Sequence, residues 1–275
     1  MWVPRAPLTC QDPPGDQPRP PRARHRRRWR RPARRPPARH RRGPHVLGAP
    51  RRPAPTSATV VRVDLRGHGE SPLGPGYELA DMADDVRAAL DAAGVTEPPL
   101  VVGHSLGGLL AAVYAGRHPV RGVVDVDQPL ALTAMQAQVQ QAAPMLRGEG
   151  FEPFMAGMFD AMRGAMDDDA HAALAARRRP RQEVVTGIWS PLLDLTGEEL
   201  GALVDEIAAG VQCPFLSLHG LDPGPDFAAW LAQRIPTATV EVWTDDAGRP
   251  LGHHPHLMAP ERFMARVREF SAGLA

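Results

Sequence analysis

The chain has 275 residues, a formal net charge of +1, 43% hydrophobic residues and two cysteines. Such a length carries one full-sized core, and two cysteines exclude a disulfide framework. With no run of about 18 apolar residues and no leader-type apolar segment, the expectation is a cytoplasmic protein with no membrane partner.

The near-neutral total conceals a division. Residues 1–55 hold sixteen arginines, half of the 32 basic residues, against Asp12 and Asp16; the other 29 of the 31 acids follow. From Gln17 to Pro55 proline recurs too often for a helix or sheet, and apolar side chains are too few to offset the entropy of ordering. Residues 1–58 are therefore expected to be a disordered Arg/Pro-rich segment. One reading makes it a tail that binds nucleic acid or another polyanion through phosphate contacts, with Trp29 available for stacking. The preferred reading is an out-of-frame translation that rejoins the true frame near Thr56 to Val60. The chain has no lysine, which indicates GC-rich coding DNA, where wrong frames yield arginine, proline, alanine and glycine.

Regular patterning begins at residue 59. TVVRVDL (59–65) reads as a β-branched strand closed by the glycine turn RGHGES. YELADMADDVRAALDAAGV (77–95) places Leu79, Met82, Val86 and Leu90 at helical spacing, with Gly94 as its C-terminal cap. PLVVGHS is a short apolar strand, and a helix follows from Leu106 to about Arg117. RGVVDVDQ (121–128), CPFLSLHG (213–220) and ATVEVW (238–243) are further strands, and ERFMARVREFSAGL (261–274) is a closing helix. Strands alternating with helices predict an α/β fold with a mostly parallel sheet covered on both faces.

Between the RGVVDVDQ and CPFLSLHG strands the alternation stops. Residues 133–209 read as a helical cap inserted into a core formed by 59–132 and 210–275, with a break around Arg177 to Arg181. Its methionines, among them Met145, Met155, Met158 and Met162, either fill the cap's own core or line an apolar substrate pocket.

Gly103-His104-Ser105-Leu106-Gly107 fits the G-x-S-x-G nucleophile elbow, in the strand-turn-helix context that gives the motif its force. The turn needs small flanking residues, and it presents the serine oxygen at the carboxyl end of the sheet. The amide of Leu106, at the helix N-terminus, is placed to stabilise an oxyanion. His253, His254 and His256 lack the carboxylate or cysteine ligands of a metal site, and no cofactor motif is visible.

DLRGHGES (64–71), GHSLGG (103–108), CPFLSLHG followed by Asp222, and GHHPHLMAP (252–260) resemble the α/β-hydrolase family in order and distance, over residues 59–275. The resemblance implies a Ser-Asp-His triad of Ser105, Asp222 and His253 and an acyl-enzyme route for an ester, or a related acyl compound, of a small to medium apolar substrate. His253 directly follows Gly252, with Pro255 and Pro260 in the family's positions. The acid has alternatives. Asp222 comes one residue early after Gly220, Asp125 and Asp127 lie on a strand where some relatives carry the acid, and Asp226 is nearby. Arg66, His68 and His104 are expected to be structural.

One departure matters. The family carries strands before DLRGHG, one ending in a His-Gly loop that supplies a second oxyanion amide; here that stretch is the arginine-proline segment. A gap is therefore expected between the TVVRVDL and PLVVGHS strands, with unpaired backbone groups along it. The alternative function is an inactive hydrolase remnant whose basic tail binds a polyanion.

Overall fold

The computed structural model of the chain describes residues 23–25 and 58–274. The readings of the arginine-proline segment, as polyanion-binding tail or as out-of-frame translation, lie outside the described residues except at 23–25. There the expectation of no sheet is corrected: β1 (Ala23–His25) pairs antiparallel with β2 (Val61–Val63), Arg24 opposite Arg62. Strand pairing uses main-chain groups, so an exposed edge accepts a segment with little apolar content.

Four parallel strands form the main sheet, in the order β3 (Leu100–His104), β4 (Gly122–Val126), β5 (Phe215–His219) and β6 (Ala238–Val242). Every residue of β4 and β5 is buried, as expected of apolar strands covered on both faces. Alternation sorts their side chains. Val123 and Phe215 face a core shared with α1 (Leu79–Ala92) and α2 (Leu106–Arg117), whereas Val124 and Leu216 face Val267 of α12 (Pro260–Ala272). Burying each such leucine or valine contributes about 1.5–3 kcal/mol. Helix α1 turns Met82, Val86 and Leu90 inward, and Gly94 ends it with φ +73°, the left-handed conformation glycine adopts without strain.

Between β4 and β5 lie α3 (Thr133–Gln141), α4 (Ala143–Leu146), α5 (Phe151–Ala161), α6 (Asp168–Ala175), α7 (Gln182–Ile188), α8 (Ser190–Asp194) and α9 (Gly197–Gly210). Sequence reading places α9 with the cap, yet its Leu200, Val204 and Ala208 enter the main core. Gly210 meets the backbone of Gly116 on α2 so closely that a Cβ on Gly116 would lie 3.1 Å from its Cα. A capping box, Thr196 with Glu199, starts α9. Helix α10 (Phe227–Arg234) is not anticipated by the sequence reading; Phe227 and Leu231, four residues apart, are its buried face. The short α11 (Pro255–Met258) follows the histidine loop.

Among the described residues, the expected gap lies between β2 and β3. Strand β3 pairs only with β4, and β2 only with β1, among the described residues. A groove of about 280 Å³ separates them, walled by Val61, Val63 and Leu65 on one side and by Val101, Val102 and Gly103 on the other.

Candidate active site

Ser105 stands between the end of β3 and the start of α2, with φ 53° and ψ −126°. A β-carbon at Gly103 would run into the carbonyl of Gly107, so the turn tolerates no side chain there. Its geometry is held by Ser105 N–H donating to the Val126 carbonyl at 2.9 Å and by the Gly108 amide donating to the Ser105 carbonyl at 2.7 Å. The N–H of Leu106 lies in the first turn of α2, where helix amides have no intrahelical acceptor. Ser105 has one companion. Among the described residues, Ser105 and Asp127, φ 54°, are the non-glycine residues with positive φ. Such conformations cost about 1–3 kcal/mol each and concentrate at functional sites.

Asp127 follows β4 and is 4% exposed; His253, in the loop between β6 and α11, is 7% exposed. Asp127 Oδ2 accepts from His253 Nδ1 at 2.7 Å, while Oδ1 accepts from the amides of Gly220 at 2.7 Å and Leu221 at 3.0 Å. Burial pushes the Asp127 carboxyl up, but His253 and the two amides outweigh it and leave the group below the ordinary aspartate value. An ionised Asp127 accepts only, so His253 donates to it from a protonated Nδ1. The His253 amide donates to the Met162 carbonyl at 2.9 Å, and its carbonyl accepts from His104 Nε2 at 2.6 Å. Among the described residues no hydrogen bond joins Ser105 Oγ to the His253 ring, a contact that open sites commonly hold long.

The expected pairing of Asp222 with His253 is therefore corrected to Asp127 with His253. Asp222 is exposed, and its Oδ1 accepts from the Gly224 amide at 2.9 Å in a local turn. The short loop after β5 explains the difference: it offers Asp127 two backbone amides and turns its own carboxylate to solvent. Asp226, also exposed, precedes α10 without capping it through its side chain. Asp125 is fully buried beneath α2, where Ser217 Oγ donates to its Oδ2 at 3.2 Å; burial raises its pKa well above the ordinary value.

Sequence reasoning missed the pair Ser217 and His219 on β5. Ser217 Oγ meets His219 Nε2 at 2.7 Å, and His219 Nδ1 lies 4.0 Å from Asp127 Oδ1. Burial lowers the His219 pKa to about 4, against the pull of Asp127 and Asp222. Two polar residues at alternate positions of an apolar strand were the available signal. Arg66 is tied to Asp85 at 2.5 Å and to the Gly76 carbonyl, and His68 Nδ1 lies 3.0 Å from the Arg66 carbonyl oxygen; both stabilise the turn after β2.

His104, His254 and His256 bring ring nitrogens within 4.8 Å of one another. Burial lowers their pKa values to about 2, 4 and 4, so all three are neutral near pH 7. Metal binding is poorly served, because His104 Nε2 is committed to the His253 carbonyl and His254 Nε2 faces the Arg178 guanidinium at 3.2 Å. A second cation there would meet the first.

Comparison with known proteins bears on the family and the fold. Residues 48–191 match the alpha/beta hydrolase fold family. The chain is 30% identical over 235 residues to a pimeloyl-[acyl-carrier protein] methyl ester esterase of Neisseria meningitidis serogroup B, covering 80% of this chain and 84% of that protein. It is 34% identical over 110 residues to a 2-(acetamidomethylene)succinate hydrolase of Mesorhizobium japonicum, 37% of this chain and 39% of that one. Among solved structures, Est816, an N-acyl homoserine lactone degrading enzyme, superposes with a TM-score of 0.58 at 24% identity, over 77% of this chain and 82% of its own; that likeness concerns the fold.

Proposed function

This chain belongs to the α/β-hydrolase fold family, and we propose that it is a serine hydrolase cleaving a carboxylic ester through an acyl-enzyme. Ser105 is the nucleophile, His253 the general base and Asp127 the acid that orients it. The observation that carries the reading is the buried 2.7 Å bond from His253 Nδ1 to Asp127 Oδ2, together with the strained elbow at Ser105.

Ser105 Oγ attacks the ester carbonyl carbon as His253 Nε2 takes the hydroxyl proton. Asp127, ionised and held by three donors, stabilises the imidazolium that results. The Leu106 amide receives the oxyanion; the alcohol departs with the proton from His253, and water, deprotonated in turn by His253, releases the acid. The methyl ester named for the Neisseria relative supports a small alcohol half, and Met158 and Phe159 of α5 support an apolar wall in the cap.

A second reading, an inactive remnant whose basic segment binds a polyanion, draws on the groove between β2 and β3, beside the elbow, where the family resemblance places a second oxyanion loop. Losing one oxyanion donor costs about 10² to 10³ in rate. Hydrolysis of short-chain methyl and p-nitrophenyl esters by the full chain, abolished in Ser105→Ala, is the expected result. No hydrolysis, with salt-sensitive polyanion binding that disappears when residues 1–55 are deleted, would replace the first reading by the second.

A further inference from the structure

Three of the cap's six arginines are visibly committed. Arg147 pairs with Asp194 at 2.5 Å, Arg163 with Asp168 at 2.5 Å, and Arg179 donates to the Ala176 carbonyl at 2.7 Å. Arg178, in the break after α6, is half-buried and differs from them. Its guanidinium lies over the Phe159 ring, 4.0 Å from the centroid, and Nη2 donates to His254 Nε2 at 3.2 Å. Among the described residues no carboxylate stands within ion-pair distance of it. Burial lowers its pKa despite the charge of Asp160 nearby. A desolvated cation without a counter-ion is costly, and the cost is relieved by whatever anion reaches it.

Arg178 is linked to the reaction centre through His254. The ring of His254 is 5.1 Å from that of His253 and 4.8 Å from that of His104, the residue before Ser105. Cap and histidine loop are joined at the His253 amide, which donates to the Met162 carbonyl, and at Gly164, whose α-carbon packs on Gly252. The aromatic face of Phe159 sets the plane of the guanidinium, and only one of its five N–H groups is spent on His254. What remains is a planar fork suited to two parallel hydrogen bonds. The surrounding imidazoles of His104, His254 and His256 are neutral, so the guanidinium is the positive group against those rings, with the Asp160 carboxylate acting on it from beyond ion-pair distance. One positive charge matches one carboxylate.

We propose that Arg178 is the carboxylate-binding residue of the substrate site, and that the preferred substrates are half-esters of dicarboxylic acids, the free carboxylate held by Arg178 while the ester reaches Ser105. This rests on the reading of the chain as an ester hydrolase. Arg178 is a binding residue and takes no part in proton transfer.

The test compares kcat/KM for monomethyl succinate, glutarate and adipate with that for methyl butyrate, pentanoate and hexanoate, in the full chain and in Arg178→Ala and Arg178→Lys. A charge-assisted, two-pronged contact is worth about 10- to 100-fold. The expected ratio of half-ester to neutral ester is of that size at one chain length or more, falls to about one in Arg178→Ala and is intermediate in Arg178→Lys. The ratio is insensitive to how much protein folds. A ratio near one in the unmodified chain, or a high ratio retained in Arg178→Ala, overturns the proposal. If neither ester is turned over, the hydrolase reading fails, and calorimetric titration with monomethyl glutarate then decides the binding claim. Binding weakened about tenfold or more in Arg178→Ala sustains it; equal or absent binding overturns it.

Discussion

Replacing Asp127 with asparagine separates the acid proposed from the structure, Asp127, from Asp222, the one the family resemblance implies. The new amide side chain would keep an oxygen for the amides of Gly220 and Leu221, now 2.7 and 3.0 Å from Oδ1, so the loop after β5 stays anchored. Its NH₂ group would replace Oδ2, 2.7 Å from His253 Nδ1, and a donor there requires a bare Nδ1. The ring proton then moves to Nε2, the atom that must accept the serine proton. Substitution of this kind costs about 10⁴ in kcat, or about 5 kcal/mol of transition-state stabilisation. Asp222→Asn should change kcat by less than about twofold, because Asp222 is exposed and an amide oxygen serves Gly224 equally well. Initial rates with a p-nitrophenyl ester, alongside thermal melts to verify folding, make the measurement. A large loss in Asp222→Asn with little change in Asp127→Asn would refute the assignment.

Ser105→Gly should raise the unfolding free energy by about 1 kcal/mol while abolishing activity, since glycine adopts φ 53° without strain; a lower melting temperature would contradict the strained-elbow account. Gly108→Ala should destabilise the fold by about 2 kcal/mol or more, because its methyl group would collide with the buried Asp125 carboxyl; urea midpoints unchanged from the parent would count against that packing. Stability should fall as pH drops from about 6.5 towards 4. His219 and His256 have folded pKa values of about 4 and His104 of about 2, below the ordinary value, so over that range the unfolded chain binds protons that the native state refuses. With His254, also lowered to about 4, four such groups give at most about 5 kcal/mol per pH unit, and urea unfolding free energies that stay flat from pH 7 to pH 5 would show the histidines to be protonated in the native state.

The parts of the fold legible in the sequence are those fixed by local rules. Gly103 and Gly107 bracket Ser105 within a strand-turn-helix of residues adjacent in the chain, so the elbow could be read directly, as could the buried strands and Gly94 as a helix end. The acid could not be fixed this way. Asp127 reaches His253 across 126 residues, and the choice between it and Asp222 depends on whether the β5 loop turns a carboxylate or its amides inward. Helix α10 escaped notice because its buried face is only Phe227 and Leu231. Helix α9 read as cap because its alanines and leucines suit either location, and contact through Gly116 and Gly210 is visible only in three dimensions. The interrupted sheet, by contrast, was foreseeable from composition. Among the described residues, no strand of the main sheet is built from a run of arginine and proline.

Activation of Ser105 as a nucleophile underlies every step of the mechanism, and reaction of the full chain with a fluorophosphonate, followed by peptide mass mapping, probes it without a choice of substrate. A covalent adduct is expected on the peptide carrying Ser105, absent in Ser105→Ala and formed much more slowly in Asp127→Asn. A folded preparation that forms no adduct, or one that labels elsewhere, would contradict the mechanism.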